Sequence, residues 1–344
     1  MSKERVIVTG AAGFIGHHLV DYLLKHTEWD IVIIDKLSYS SKGMQRLIDI
    51  NALNNPRVRL YTFDLITPLS EGITRDLQDV TYILHLAAET HVDNSIADPA
   101  HCIQNNVMST TYLLEFARTL PNLKLFLYFS TDEVVGSALS PTTKTPEVHA
   151  NKHFKIMYQE YDRHFPTNPY AASKSASEQV CNAYHNTYKL PLIITNVMNV
   201  YGIRQYIEKF IPLCIKKIQQ DEPILIHSYP GCKHTGSRFY IEASKVADAI
   251  MFIVNHGEIG DRYNITGEKE VTNLEIAQKI ATILNKPLKY ELTDNHSKRP
   301  GFDTRYCLDG SKLLNMGWDL NPNFDANLEQ VVKWTLEHPE WLEP

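Results

Sequence analysis

The sequence predicts an α/β protein: a doubly wound parallel sheet over residues 1–200, and a smaller C-terminal lobe built mostly from residues 201–344 with some segments returning to the large domain. Three observations predict it. Short apolar runs rich in β-branched residues alternate with helical patterns through the first half of the chain, which calls for crossover connections and a sheet covered on both faces. A glycine-spaced turn joins the first run to the first helical stretch. After about Val200, Pro212, Pro223, Pro230, Pro287 and Pro300 cut the chain into shorter pieces.

The bulk numbers agree with such a fold. The chain has 344 residues, 43% hydrophobic and 22% charged, enough to bury a sizeable core. A formal net charge of -6 speaks against a dedicated nucleic-acid binder while leaving room for a local basic pocket around a diphosphate. Five cysteines without a CxxC pair argue against a disulfide framework or a zinc site and fit a reducing compartment. Met1-Ser2-Lys3-Glu4 runs directly into a buried-strand pattern, and no apolar run has the length of a bilayer span. The expectation is a cytoplasmic protein with no membrane partner, no nucleic-acid partner and no metal.

Taken in order, Arg5 to Thr9 reads as a strand and Phe14 to about Lys25 as a helix. Ile31 to Ile34, Arg57 to Phe63, Tyr82 to Leu86 and Leu123 to Ser130 continue the strands. A long helix starts just after Asn168-Pro169 and runs to about Tyr188, and Leu192 to Thr195 is a further strand. Asn273 to Leu284 is helical. Ser137 to Pro166 has little periodicity and reads as a mobile loop or flap.

The turn Thr9-Gly10-Ala11-Ala12-Gly13-Phe14-Ile15-Gly16 spaces its glycines GxxGxxG. Gly10 permits the tight turn, Gly13 lets backbone approach a pyrophosphate, and Gly16 lets the helix pack closely on the sheet, with the phosphates at the helix N-terminus beside Phe14 and Ile15. A glycine trio also occurs in ordinary turns; here a strand precedes it, a helix follows, and an acid closes the next strand, which makes it a Rossmann-type dinucleotide site. That acid is Asp35, which can accept hydrogen bonds from both ribose hydroxyls and would repel a 2′-phosphate, so the cofactor expected is NAD. Lys36 beside it weakens that preference, and Asp35 reads also as a plain strand-end turn residue. Ser38 follows in the same loop. Asp64 and Leu65, at the end of the third strand, are placed to meet the adenine, and Leu86-Ala87-Ala88 ends the fourth strand with residues that allow close backbone approach.

Tyr170-Ala171-Ala172-Ser173-Lys174 is a YxxxK pair. On a helix these positions share a face. A nearby ammonium favours phenolate, so Tyr170 is expected to have a lowered pKa and to serve as a base, with Lys174 also binding the nicotinamide ribose. The bland alternative is a surface helix pair. Ser130-Thr131-Asp132-Glu133 follows the fifth strand, at the sheet edge where open α/β folds bind ligands. Thr131 can hydrogen-bond a reacting hydroxyl, and adjacent carboxyl groups can act as acid and base if their environments differ. A solvated acidic loop is the other reading.

The segments TGAAGFIG, HLAAETHVDNSI, STDEVVG, NPYAASK, EKFIP and RPGFDTRY occur here in the order found in the dTDP-glucose 4,6-dehydratases. The chain resembles that family, part of the extended short-chain dehydrogenase/reductase superfamily, from about Val6 to Trp334. Sugar-nucleotide epimerases and decarboxylases share the glycine turn and YxxxK but do not usually carry the Thr-Asp-Glu triplet. The resemblance implies an internal redox cycle through bound NAD on dTDP-glucose or UDP-glucose. Tyr170 takes the proton of the 4-hydroxyl as hydride leaves carbon 4; Glu133 removes the carbon-5 proton; Asp132 protonates the departing 6-hydroxyl; hydride returns to carbon 6. It also implies substrate contacts at His91, Ser95, Asn199, Glu208, Lys209, Phe210, Leu225, His227, Arg238, Asn273 and Arg299. Among these Arg238 and Arg299 would hold the diphosphate, and Val200 would touch the cofactor through its backbone. The alternative for Arg238 and Arg299 is an ordinary surface ion pair, and His91 reads equally as a structural histidine. A homodimer through a four-helix bundle is implied, with Asn106 to Arg118 and Tyr170 to Tyr188 as the matching stretches.

The chain departs from the family pattern at Val135 for Tyr, Asn94 for Arg, Val200 for Asn and Phe302 for His, and the loop His227 to Ser237 is longer. None of these removes a catalytic group. Phe302 and the loop bear on the choice of nucleotide. The alternative activities are a UDP-sugar 4-epimerase or decarboxylase, and a catalytically silent NAD-binding module.

Overall fold

The computed structural model of the chain describes residues 4–139, 155–228, 234–294 and 305–343. The chain divides into two compact units: one comprises Met1–Val134, Asn168–Val197 and Val246–Tyr263, the other Val135–Thr167, Met198–Lys245 and Asn264–Pro344.

The first unit is built on parallel strands β1 (Arg5–Thr9), β2 (Asp30–Asp35), β3 (Val58–Thr62), β4 (Tyr82–His85), β5 (Leu125–Thr131) and β6 (Leu192–Val197). Their order in the sheet is β3-β2-β1-β4-β5-β6, and Arg262–Ile265 adds a seventh strand beside β6. Val6, Ile7 and Val8 in β1 and Ile31, Ile33 and Ile34 in β2 have no exposed surface. Such unbroken β-branched runs suit strands covered on both faces, which is why these segments show no polar alternation. The connecting helices are α1 (Phe14–His26), α2 (Gln45–Asp49), α3 (Glu71–Asp76), α4 (Val92–Ala97), α5 (Pro99–Ala117) and α6 (Pro169–Tyr188). The order reverses between β1 and β4, creating the crevice at the carboxyl ends of the strands where this architecture takes its ligands.

The expected fold class is the observed one, and boundaries differ by one to a few residues where side-chain caps intervene. The first strand and the Asn273–Leu284 helix occupy the segments read for them. The stretch read from Asn106 lies within a longer helix that begins at Pro99, because Asp98 accepts the His101 N–H at 3.1 Å and proline fits the first helical turn.

The second unit is centred on its own apolar cluster, in which Ile211, Ile215 and Ile218 of the helix Phe210–Gln219 pack with Ile276 and Ile280 of Asn273–Leu284 and with Leu328 and Val332 of Phe324–Glu337. Strand Ile224–Ser228 pairs in parallel with Tyr290–Asp294. Arg305 is 3% exposed and binds both carboxylate oxygens of Glu270, at 2.7 and 2.8 Å, and the carbonyls of Leu139 and Ile156.

That arginine bears on the flap expected over Ser137 to Pro166. Residues 140–154 lie outside the described residues, and several of the others are anchored. Tyr158 is 3% exposed, donates its hydroxyl to the Ser137 carbonyl at 2.9 Å, and exchanges backbone hydrogen bonds with Cys307 and Asp309. Within the described part of that stretch, Leu139, Ile156 and Tyr158 are held by these contacts. Its anchors are far away in sequence, where periodicity cannot register them.

Within the first unit, Glu178 on α6 has no exposed surface. Its carboxylate accepts hydrogen bonds from Arg262 at 2.5 Å, Ser130 at 2.5 Å and Asn196 at 2.8 Å, joining α6, β5, β6 and the seventh strand. Removing one member of a buried pair strands the other charge. Arg262→Ala is expected to lower stability by about 3–5 kcal/mol, whereas the double replacement Glu178→Leu/Arg262→Met loses much less. Urea unfolding of the two variants checks this; equal losses would show that the pair is not the source of the effect.

Candidate active site

The glycine turn sits at the reversal point of the sheet. Gly10 has φ +70°, and a Cβ added there would lie 2.8 Å from the Ala87 Cα, so only glycine lets the first turn pass this close to the segment after β4. A Cβ on Gly16 would collide with the Gly10 carbonyl and the Ala11 backbone, so α1 can begin this tightly against the turn only without a side chain there. Gly13 is the N-cap of α1 and no side chain caps the N–H groups that follow it, at Phe14 and Ile15. This is a backbone surface suited to an anionic group.

Asp35 ends β2 and is 7% exposed. One carboxylate oxygen accepts the Ala12 N–H at 2.9 Å and the other the Leu37 N–H at 2.8 Å. Burial raises its pKa; the Leu37 and Ala12 N–H groups and the charges of Arg46 and Lys36 oppose that. Asp35 thus ties the glycine turn to its own strand end, and each oxygen keeps a lone pair for a further donor. Leu37 is held at φ +56°, an uncommon conformation for leucine that the surroundings must enforce. Lys36 pairs with Glu89 at 2.6 Å and Asn105 at 2.9 Å, while the Ser38 carbonyl accepts the Ser41 hydroxyl. Asp64 is exposed and caps its own turn at Ile66, and the Leu65 side chain belongs to the apolar core.

A chain of hydroxyls and one imidazole fixes Leu86, Ala87 and Ala88. Thr9 Oγ1 accepts the N–H groups of Leu86 and Ala87, both at 3.1 Å, so its own proton goes to His85 Nδ1 at 2.7 Å. Thr110 gives its proton to the Asn106 carbonyl and therefore accepts from His85 Nε2 at 3.1 Å. His85 is thereby neutral and in a single tautomer. Burial, and then the charge of Lys174, holds its pKa down at about 3.

Thr131, Asp132 and Glu133 stand at the carboxyl end of β5, and Tyr170 and Lys174 on the first two turns of α6, all in the same unit. Thr131 donates to Asp132 Oδ1 at 3.0 Å and accepts the Glu133 N–H at 3.3 Å. Asn168 caps α6 through Ala171 N at 2.9 Å and donates to Glu133 Oε2 at 3.1 Å. The backbone N–H of Tyr170 is accepted by Ser95 Oγ at 3.2 Å, and that hydroxyl donates to the Val92 carbonyl. At 1% exposure, Ser95 ties α4 to the first turn of α6.

The expected lowering of the Tyr170 pKa is corrected. Burial raises it, the Glu133 and Asp132 charges raise it further, and a hydrogen bond with Thr131 works the other way. Lys174 is 3% exposed, donates to the Phe129 carbonyl at 2.7 Å and lies 4.3 Å above the Tyr128 ring. Burial brings its pKa down to about 8, against the charge of Glu178. The i, i+4 spacing does put phenol and ammonium on one helix, but the sequence does not show where a backbone carbonyl draws the ammonium.

His91 precedes α4 and lies 3.9 Å from Asp93. In the second unit, the Asn199 carbonyl accepts the Ile241 N–H and the Val200 carbonyl accepts from Gln205. Glu208 pairs with Lys209 at 3.3 Å just before Phe210 starts a helix. Leu225 is 42% exposed on the same strand as His227. Arg238 is 5% exposed, with its guanidinium 4.4 Å over the Tyr306 ring. That burial rules out an ordinary surface ion pair. Asn273 accepts the Tyr240 hydroxyl at 3.1 Å. Arg299 and Phe302 lie outside the described residues.

Residues 6–266 match the model of the NAD dependent epimerase/dehydratase family. This chain belongs to that family. It is 35% identical to the dTDP-glucose 4,6-dehydratase of Haemophilus influenzae, over 96% of this chain and 97% of that one. It is 31% identical to an Arabidopsis thaliana trifunctional UDP-glucose 4,6-dehydratase/epimerase/reductase, over 98% of this chain and 48% of that larger protein. A crystal structure of a Streptomyces venezuelae dTDP-glucose 4,6-dehydratase, with NAD bound, superposes with TM-score 0.85 at 31% identity, covering 99% of each chain. The resemblance carried by the motifs is borne out by these relatives. Among the described residues, no helix of this family member is long and apolar enough to cross a membrane.

Sequence reasoning missed four residues around the site: Asn106, Asn168, Glu178 and Arg262. Asn168 had a signal, because asparagine before proline is a helix start. The others are polar residues inside helices or strands whose partners only the fold supplies.

His85 has a measurable consequence. Below about pH 6.5 the unfolded chain takes up a proton at this position that the native protein refuses. The stability it contributes is complete above that pH and is lost as pH falls toward 3, at up to about 1.4 kcal/mol per pH unit. His85→Gln is expected to flatten the acid side of the stability curve by that slope, as measured by urea unfolding from pH 7 to pH 4. Parallel curves for the two proteins would contradict it.

Proposed function

We propose that this protein is an NDP-glucose 4,6-dehydratase that converts dTDP-glucose or UDP-glucose to the 4-keto-6-deoxy sugar nucleotide and water. One observation carries the reading. The Thr131 hydroxyl binds Asp132 and the Glu133 N–H, and Glu133 binds Asn168, two residues before Tyr170 at the start of α6, so a phenol, a hydroxyl and an acid pair share one neighbourhood at the end of β5. An epimerase needs the phenol but has no step for the two acids.

The turn around Gly10, the uncapped start of α1 and the Asp35 carboxylate fit NAD, which would be held by Gly10, Gly13, Phe14, Ile15, Gly16, Asp35 and the backbone of Ala87 and Ala88. Bound NAD supplies a hydride acceptor and a positive ring. Tyr170 Oη takes the proton of the sugar 4-hydroxyl, and Thr131 would hydrogen-bond that reacting hydroxyl. Burial and the acids oppose that deprotonation, so a nearby positive charge must help, and Lys174 is the cation one turn further along α6. The 4-ketone acidifies carbon 5, from which Glu133 takes a proton, and Asp132 gives a proton to the 6-hydroxyl as it leaves as water; the hydride taken from carbon 4 would then be returned to carbon 6 and Glu133 would give a proton back to carbon 5. In this reading the first unit holds the cofactor and the second the sugar nucleotide, with Arg238 as a diphosphate ligand. The protein is a cytoplasmic homodimer in which α5 and α6, which bear the exposed side chains Ile103 and Tyr188, pair with their copies.

Incubation with each sugar nucleotide in heavy water tests the reaction. Wild type is expected to form a 4-keto product that absorbs ultraviolet light in alkali and carries solvent deuterium at carbon 5. Glu133→Gln is expected to lose that exchange by about 100-fold or more while retaining NAD. An isomeric sugar without a ketone would indicate an epimerase, and undiminished exchange in Glu133→Gln would remove Glu133 as the base.

A further inference from the structure

The beginning of α6 uses one side chain for two tasks. Asn168 is 6% exposed. Its Oδ1 accepts the Ala171 N–H at 2.9 Å, capping the helix, and its Nδ2 donates to Glu133 Oε2 at 3.1 Å. Serine, threonine and aspartate cap helices equally well, but none carries an acceptor and an N–H donor on separate atoms. Capping alone does not call for the amide. The second contact does, because it ends on a group of the acid pair.

Glu133 is half-buried on a short 3-10 turn after β5, and its backbone is fixed by the Thr131 hydroxyl at 3.3 Å. The side chain still has three rotatable bonds between backbone and carboxylate. A donor rooted in α6 removes much of that freedom and refers the carboxylate to the helix that carries Tyr170 two residues later. A reaction that needs phenol and carboxylate on neighbouring carbons of one ring depends on this shared reference, since small displacements of a reacting group cost rate steeply.

We infer that Asn168 is a positioning residue for Glu133: its amide fixes the carboxylate relative to Tyr170, and it does so separately from its capping of α6. The inference rests on the dehydratase reading and adds to it a residue that acts through Glu133.

Three replacements separate the two tasks. Asn168→Ser keeps a cap and loses the Nδ2 donor. Asn168→Asp keeps the cap and sets a second carboxylate against Glu133. Asn168→Ala loses both. Two readouts separate the steps: the absorbance of bound reduced nicotinamide on mixing the NAD-loaded protein with sugar nucleotide reports oxidation at carbon 4, and deuterium at carbon 5 reports the proton transfer at Glu133. In Asn168→Ser, oxidation is expected to stay within about 3-fold of wild type while carbon-5 exchange falls about 10-fold, equivalent to about 1.4 kcal/mol, so that reduced nicotinamide accumulates. Asn168→Asp falls further in exchange at a melting temperature close to that of wild type, and Asn168→Ala melts lower. Wild-type exchange in both Asn168→Ser and Asn168→Asp would overturn the inference, as would equal loss of oxidation and exchange, which would mark a structural cap alone. Should Asn168→Ser not fold, Asn168→Asp carries the same contrast. A wild-type protein showing neither signal defeats the dehydratase reading itself, and the inference with it.

Discussion

The placement of α6 depends on a buried polar seam centred on Asn106. Its side chain accepts the Glu89 N–H at 2.8 Å and donates to the Glu89 carbonyl and to Ser173 Oγ, at 3.0 and 2.8 Å. Its carbonyl receives the hydroxyls of Thr110 and Ser177 at 2.8 and 3.1 Å. An unmade hydrogen bond in such a seam leaves a buried group unsatisfied, so the seam admits one register of α5 against α6 where an apolar interface would tolerate several. That register sets the helix bearing Tyr170 and Lys174 against the segment after β4, and through Thr110 and His85 it reaches the glycine turn.

Burial is the main influence on the titrating groups around this seam. It raises Tyr170, lowers Lys174 to about 8 and lowers His85 to about 3. The neighbouring charges then divide into two sets. Asp132 and Glu133 press on the phenol, while Glu178, tied to Arg262, supports the ammonium. The site therefore holds its acids and its cation near the same helix without pairing them directly: the ammonium is drawn to the Phe129 carbonyl and the Glu133 carboxylate to the Asn168 amide.

Much of this was legible in the residues. Unbroken β-branched runs located β1 and β2 because a strand covered on both faces has no polar side to show. The glycine spacing located the nucleotide turn because steric exclusion of Cβ is a local demand, and Asn168-Pro169 marks a helix start by its own chemistry. What was not legible shares one property. The direction of the Tyr170 shift, the turning of Ser95 toward α6, the anchoring of Tyr158 by residues 305–309 and the Glu178–Arg262 pair are each set by partners from elements distant in the chain.

The sequence alone determined the kinds of group present: a backbone turn open to phosphates, an acid after the second strand, a phenol and an ammonium one helical turn apart, and two adjacent carboxyl groups after the fifth strand. These follow from local rules of sterics and periodicity that act within a few residues. Tertiary structure decided what each group faces, and so which charges press on which. Burial and hydrogen-bond partnership are properties of the packed chain, and how strongly a lysine four residues from a tyrosine acts on it depends on where the fold holds the ammonium.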